Sequence, residues 1–99
     1  MKKITVLGAS GKMGKAIIVS ISESTDCQLI SAVCEQQDPN LGKDAGENAG
    51  LSRLGVNLVG PMSSSLSDSD VVIDFTLPDA LESNLALCVE QNVPMIIGV

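Results

Sequence analysis

Three glycines, Gly8, Gly11 and Gly14, lie three residues apart near the start of the chain, in the segment VLGASGKMGKAI. An apolar run precedes them and apolar residues at helical spacing follow. A strand that leads through a glycine-rich turn into a helix is typical of phosphate sites, because the helix N-terminus offers unpaired N–H groups and a partial positive charge. Glycines also lack the Cβ atoms that would keep a pyrophosphate away from the backbone. The segment predicts a pyrophosphate site, with a tight structural turn as the alternative.

A carboxylate, Glu35, ends the second predicted strand, about 20 residues after Gly14. Dinucleotide-binding folds place an acid there to accept hydrogen bonds from the adenosine ribose hydroxyls. The same carboxylate repels a 2′-phosphate, and the neutral Gln36 that follows cannot pair with one. Lys12 is one cation that could favour a phosphorylated cofactor. We therefore expect NADH to bind at least as well as NADPH, with a solvated glutamate at a strand end as the alternative.

The composition removes several classes of catalytic and metal site. The chain has no histidine, which excludes within it a Ser-His-Asp triad, a Cys-His pair and an HExxH zinc site. Its three cysteines, Cys27, Cys34 and Cys88, share no CxxC spacing and are interpreted as small buried hydrophobes in a reducing compartment. We predict no metal site and no catalytic residue in these 99 residues.

Charge and hydropathy narrow the range of partners. The net charge is −6, and no basic run extends beyond Lys2 and Lys3, which argues against nucleic acid. No apolar stretch approaches the ~20 residues that cross a bilayer. The start MKKITVLG lacks the long apolar region and cleavage site of a secretory signal. We expect a cytoplasmic protein with a small-molecule ligand, without membrane or nucleic acid.

Strand and helix patterns alternate along the chain. Short apolar runs predict strands over Ile4–Leu7, Gln28–Cys34, Val56–Val59, Val71–Phe75 and Val93–Val99. Helical spacing predicts one helix after the glycines and another over residues 76–92, whereas Glu35–Gly55 has no clear periodicity and predicts a long loop. The sequence thus predicts an α/β fold: a Rossmann-like doubly wound parallel sheet, ending after about five strands, in one dinucleotide-binding domain over residues 1–99.

The motifs GASGKMG, GKDAGENAG and VVIDFTLPDA together resemble the N-terminal part of the 4-hydroxy-tetrahydrodipicolinate (dihydrodipicolinate) reductase family, from Ile4 to Gly98. The resemblance implies cofactor-binding residues, which are Gly8, Ala9, Ser10, Gly11, Lys12, Met13 and Gly14 for the pyrophosphate, Glu35 with Gln36 for the ribose, and Phe75, Thr76 and Gly98 for the nicotinamide side. The family often carries an arginine after the ribose-binding acid. Gln36 in that place puts a strong NADPH preference in doubt.

The resemblance also implies an activity. Family members use NADH or NADPH to reduce a cyclic imine dicarboxylate to tetrahydrodipicolinate, in diaminopimelate and lysine biosynthesis. Their catalytic histidine pair and lysine belong to a C-terminal domain, through which a homo-tetramer is largely built. We therefore expect this chain to be the N-terminal, nucleotide-binding part of a longer oxidoreductase and to be inactive alone. The alternative is a non-catalytic sensor or regulatory domain that binds a dinucleotide or coenzyme A with a similar GASGxxG turn.

Two acidic motifs remain open at this point. Asp74 lies inside a predicted buried strand, where it fits either general acid/base work or, more naturally, a carboxylate hydrogen-bonded to loop backbone at the strand end. The DAGE motif, residues 44–47, is interpreted either as facing a substrate or as having only a structural role in a turn.

Overall fold

The computed structural model describes residues 2–60, 68–75 and 94–97. In chain order the elements are β1 (Lys2–Leu7), α1 (Lys12–Glu23), β2 (Cys27–Val33), α2 (Ala45–Asn48), β3 (Leu58–Val59), β4 (Val71–Asp74) and β5 (Met95–Ile97). The five strands form one sheet in the order β3-β2-β1-β4-β5, and every neighbouring pair is parallel. The predicted Rossmann-like fold class is confirmed.

Two of the predicted elements differ from those of the structure. The segment Glu35–Gly55 is not wholly loop, because it contains the single helical turn α2 and the isolated bridge between Asp44 and Asn57. Four residues are too few to show a helical period, so the prediction was wrong there. The strand β3 is shorter than its predicted range. The predicted helix over residues 76–92 and the cysteine at position 88 lie outside the described residues.

From Ile4 to Leu7 the strand β1 is buried on both faces, as expected for the centre of a parallel sheet. Side chains alternate along a strand, so Ile4 and Val6 share one face and pack with Ile18 of α1. Leu7 lies on the other face and packs with Val72 of β4. Ile18 is only 1% exposed, and burial of a side chain of this size stabilises the fold by roughly 1.5–3 kcal/mol. Apolar packing on the two faces fixes β1, and with it the start of the glycine turn.

The carboxyl ends of three strands meet at one edge of the sheet. In register, Leu7 at the end of β1 pairs with Val33 of β2 on one side and with Asp74 of β4 on the other. The chain adds β2 and β3 on one side of β1, then returns to add β4 and β5 on the other. Ligands of open α/β sheets bind in the crevice at such a reversal. The glycine turn begins at this point.

Candidate functional site

The glycine turn is fastened to the end of β2. Gly8 has a φ of 76°, in the left-handed region that favours glycine, so the chain can turn sharply after β1. The N–H groups of Gly8 and Ala9 both donate to the Val33 carbonyl oxygen at 2.9 Å. Gly11 N–H then donates to the Gly8 carbonyl oxygen at 3.2 Å and closes the turn. These bonds place the N-terminus of α1 at the carboxyl edge of the sheet.

Gly14 lets α1 pack directly on the turn. A Cβ at this position would overlap the Gly8 carbonyl oxygen and lie 2.8 Å from Ala9 Cα. Both atoms belong to the backbone, so a side chain there would displace the turn. Packing within the protein itself therefore explains why position 14 is a glycine.

Gly11 differs from Gly14, because the protein does not require glycine there. It is the N-cap of α1 with φ −76° and ψ 170°, angles that any residue adopts. Among the residues that the structure describes, an added Cβ would meet the Gly8 carbonyl oxygen at 3.4 Å, an ordinary contact. The position is also exposed. A tight structural turn explains Gly8 and Gly14 but leaves Gly11 unexplained.

The first turn of α1 offers backbone donors beside this bare N-cap. In a helix the first N–H groups have no carbonyl partner within the helix, and here they belong to Lys12, Met13 and Gly14. Lys15 N–H is the first to bond within the turn, to the Gly11 carbonyl oxygen at 2.9 Å. Without a Cβ at position 11, an anion can approach these donors and the positive end of the helix dipole. The arrangement fits a pyrophosphate group.

Glu35 and Gln36 follow β2 at the same edge of the sheet, and both are exposed. Glu35 accepts a hydrogen bond at its carbonyl oxygen from Asp38 N–H at 3.0 Å, so the chain turns back after β2. The Gln36 carboxamide lies against the backbone of Gly60, where a Cβ would collide with it. The Glu35 carboxylate is thus available at the edge, and the Gln36 side chain leans towards the segment after β3.

Asp38 contacts the glycine turn, which the sequence reasoning missed. Ser10 Oγ donates to Asp38 Oδ2 at 2.5 Å, and Asn40 N–H donates to Asp38 Oδ1 at 2.8 Å. The hydrogen bond from Ser10, followed by that from Asn40 N–H and helped by the charge of Lys15, lowers the pKa of the Asp38 carboxyl, although partial burial opposes the shift. Asp-Pro-Asn is a recognisable turn signal, but it does not reveal a partner 28 residues away.

Asp44 of the DAGE motif organises the following segment. Its carboxylate accepts hydrogen bonds from the N–H groups of Glu47 and Leu54 at 3.0 Å and of Gly55 at 2.8 Å. These bonds, that from Leu54 first, lower the pKa of Asp44. The carboxylate therefore caps α2 and anchors the loop that leads to β3. Of the two interpretations left open by the sequence, turn chemistry describes Asp44.

The end of β4 completes the described part of the edge. Asp74 is the last residue of β4 and is 1% exposed. Phe75 N–H donates to the Leu7 carbonyl oxygen at 2.9 Å, and the half-buried Phe75 ring packs on the core. Phe75 thus lies beside the glycine turn, on the side opposite Glu35. Thr76 and Gly98, the other two residues predicted for the nicotinamide side, lie outside the described residues.

Within residues 2–60, 68–75 and 94–97, no helix is long and apolar enough to cross a membrane. No group of three or more cysteine, aspartate or glutamate side chains there could hold a metal ion.

Comparison with known proteins places the chain in a family context. The family model described as dihydrodipicolinate reductase, N-terminus, matches residues 2–99. The 4-hydroxy-tetrahydrodipicolinate reductase of Pseudoalteromonas atlantica is 44% identical over 98 residues, which cover 99% of this chain and 37% of the relative. That of Saccharophagus degradans is 42% identical over 96 residues, covering 97% and 36%. The chain thus spans little more than a third of the length of these relatives.

Solved structures with low sequence identity share the fold. Dipicolinate-bound dihydrodipicolinate reductase from Paenisporosarcina sp. TG-14 superimposes with a TM-score of 0.76 at 21% identity, covering all of this chain and 37% of the other. Aspartate semialdehyde dehydrogenase with NADP from Candida albicans gives 0.80 at 18% identity, covering 100% and 30%. At these identities the likeness concerns the fold alone.

Proposed function

The chain belongs to the dihydrodipicolinate reductase family, at its N-terminal domain, and on that premise we propose that it is the NAD(P)H-binding part of 4-hydroxy-tetrahydrodipicolinate reductase. The observation that carries the proposal is the bare N-cap of α1. Gly11 leaves the first amides of the helix open, at the sheet edge where Glu35 also lies, although packing does not require glycine there. The family match supports this hypothesis over that of a separate sensor domain.

Different residues at this edge of the sheet are assigned to different parts of the cofactor. We assign the pyrophosphate to the turn Gly8–Gly11 and the first amides of α1, and the adenosine ribose hydroxyls to the Glu35 carboxylate. Phe75, with Thr76 and Gly98, is assigned to the nicotinamide side. The bound nicotinamide supplies the hydride for reduction of the substrate. The protein's own part is to hold the two ends of the cofactor on opposite sides of β1.

The reduction itself needs residues beyond those of this chain. We propose that the whole enzyme reduces a cyclic imine dicarboxylate to tetrahydrodipicolinate in diaminopimelate and lysine biosynthesis, as a cytoplasmic homo-tetramer. The 99 residues contain no histidine that could act as a general acid or base. They are therefore expected to bind the cofactor without catalysing turnover.

Calorimetric titration of the chain with NADH, NADPH and coenzyme A tests the proposal. We expect both nicotinamide cofactors to bind, NADH at least as tightly as NADPH, because Glu35 accepts ribose hydroxyls and Gln36 offers no positive charge. Failure of both to bind at millimolar concentration, with circular dichroism showing a folded chain, would refute it. Binding of coenzyme A alone would instead support the sensor hypothesis.

A further inference from the structure

A second carboxylate lies between the two parts of the proposed cofactor site. Asp38 follows Glu35 by three residues, and its side chain is bonded to Ser10 in the middle of the glycine turn. The hydrogen bond from Asp38 N–H to the Glu35 carbonyl oxygen, at 3.0 Å, brings the chain back towards that turn. A dinucleotide held by Glu35 at the ribose and by the turn at the pyrophosphate must therefore pass Asp38.

The charge of Asp38 is fixed in position. Its two carboxylate oxygens accept from different donors, Ser10 Oγ at 2.5 Å and Asn40 N–H at 2.8 Å, which prevents the group from swinging away from an incoming anion. The same two bonds, that from Ser10 first, lower its pKa, so the group is ionised at neutral pH. The charge of Lys15 on α1 lowers the pKa of Asp38 further.

Both carboxylates act on the thiol of Cys34, the residue that follows β2. Burial raises the pKa of Cys34 and the charge of Asp38 raises it further; a backbone hydrogen bond opposes the shift, and Glu35 adds a smaller contribution that raises it. Both negative charges therefore act on one point directly beside the turn. Gln36, between them in sequence, contributes no compensating charge.

Building on the cofactor site proposed above, we propose that Asp38 is a specificity-determining residue that disfavours a 2′-phosphate on the adenosine ribose and so favours NADH over NADPH. The pyrophosphate is common to both cofactors, so its repulsion by Asp38 cancels in the ratio of their affinities. The effect of Asp38 on the ratio therefore comes only from its repulsion of the 2′-phosphate, which carries a charge of about −1.5 to −2 at pH 7.

The size of the effect follows from Coulomb's law and screening. For a phosphate carrying two charges, taken to lie roughly 8 Å from Asp38 in a dielectric constant of about 80, removal of the Asp38 charge changes the affinity ratio about sixfold before screening by salt. The Debye length is about 30 Å at 0.01 M salt and about 8 Å at 0.15 M. The change is therefore expected to be about fourfold at 0.01 M salt and to shrink to about twofold at 0.15 M salt.

The test compares NADH and NADPH affinities of the wild type and Asp38→Asn by calorimetric titration at about 0.01 M and 0.15 M salt. Asparagine retains an oxygen that can accept from Ser10 and loses the charge. Asp26→Asn is the matched control, because Asp26 is exposed at the amino end of β2, a strand length of about 20 Å from the site, and the net charge changes equally. In Asp38→Asn the NADPH affinity should rise relative to the NADH affinity, more at low salt, while Asp26→Asn changes the ratio less than about 1.5-fold.

An unchanged ratio in Asp38→Asn, or an equal change in Asp26→Asn, overturns the inference. Equal weakening of both cofactors does so as well, because it would mark Asp38 as a support for the turn only. Wild-type protein that binds neither cofactor refutes the proposed function instead. If circular dichroism shows that Asp38→Asn is unfolded, Asp38→Ser, which retains a short turn-forming hydroxyl, takes its place. The same rise of the NADPH affinity relative to the NADH affinity is expected for it.

Discussion

Replacement of Gly14 and of Gly11 by alanine, in separate variants, should give different defects: mainly a loss of stability at Gly14 and mainly a loss of NADH affinity at Gly11. At Gly14 the new Cβ would overlap the Gly8 carbonyl oxygen and lie 2.8 Å from Ala9 Cα. Forcing a methyl group into packed structure costs about 1–3 kcal/mol, and the immovable backbone here places the cost at about 3 kcal/mol. Alanine recovers about 1 kcal/mol through its higher helix propensity. The net loss is about 2 kcal/mol, or a fall in Tm of about 8 °C or more for a domain of this size.

At Gly11 the same methyl group costs less stability than at Gly14. Its nearest contact would be 3.4 Å from the Gly8 carbonyl oxygen, and φ is −76°. Alanine is a poorer N-cap than glycine, which costs about 0.5–1 kcal/mol. The methyl group would, however, stand beside the amides that we assign to the pyrophosphate. Loss of one hydrogen bond to a charged group, about 1.5–3 kcal/mol, predicts NADH binding weaker by about tenfold or more.

Urea unfolding and calorimetric titration with NADH measure the two effects independently. Gly14→Ala should lower the urea midpoint about two to four times as much as Gly11→Ala does, whereas Gly11→Ala should lose NADH affinity. Wild-type NADH affinity in Gly11→Ala would refute the role given to the bare N-cap. Wild-type stability in Gly14→Ala would refute the packing argument, since it would show that the turn adapts without cost.

Two further predictions concern the carboxylates. Hydrogen bonds from the N–H groups of Leu54, Glu47 and Gly55 lower the pKa of Asp44 in the folded state. The stabilisation that the ionised carboxylate provides is therefore complete above the ordinary aspartate pKa of about 3.9. It is lost as the pH falls through the lower pKa of the folded state. The stability difference between wild type and Asp44→Asn, measured by urea unfolding, should therefore shrink as the pH falls from about 7 to about 3, and a constant difference would contradict this. Because Ser10 is the main cause of the low pKa of Asp38, Ser10→Ala should raise that pKa, as followed by NMR titration of the Asp38 carboxyl carbon. An unshifted titration would contradict it.

The order of elements was predictable because it depends on local apolar patterns. Apolar runs marked β1, β2 and β4, and the spacing after the glycines marked α1. The helical turn α2 was missed because four residues show no period. Asp44 caps it locally through Glu47 N–H, but the partners that anchor the following loop to the same carboxylate, Leu54 and Gly55, lie ten and eleven residues away. Patterns that are complete within one element can be seen in a sequence, whereas hydrogen bonds made across a loop cannot.

The glycine turn was predictable as a unit, but the separate roles of its residues were not. Spacing alone treats Gly11 and Gly14 alike, and only the position of a hypothetical Cβ distinguishes them. The contact of Asp38 with Ser10 joins residues 28 positions apart and depends on the turn after β2. A single sequence holds no pattern for such a contact, which is why Glu35 was expected at the site and Asp38 was not.

The most direct test of the cofactor site is a titration of the isotope-labelled chain with NADH, followed by the amide signals of its NMR spectrum. If the pyrophosphate binds at the bare N-cap of α1 and the ribose at the end of β2, the largest shifts should occur at Gly11, Lys12, Met13 and Glu35. Amides at the opposite edge of the sheet, such as that of Asp26, should change little. Shifts concentrated away from the glycine turn, or none at saturating NADH, would contradict the assignment of this edge as a dinucleotide site.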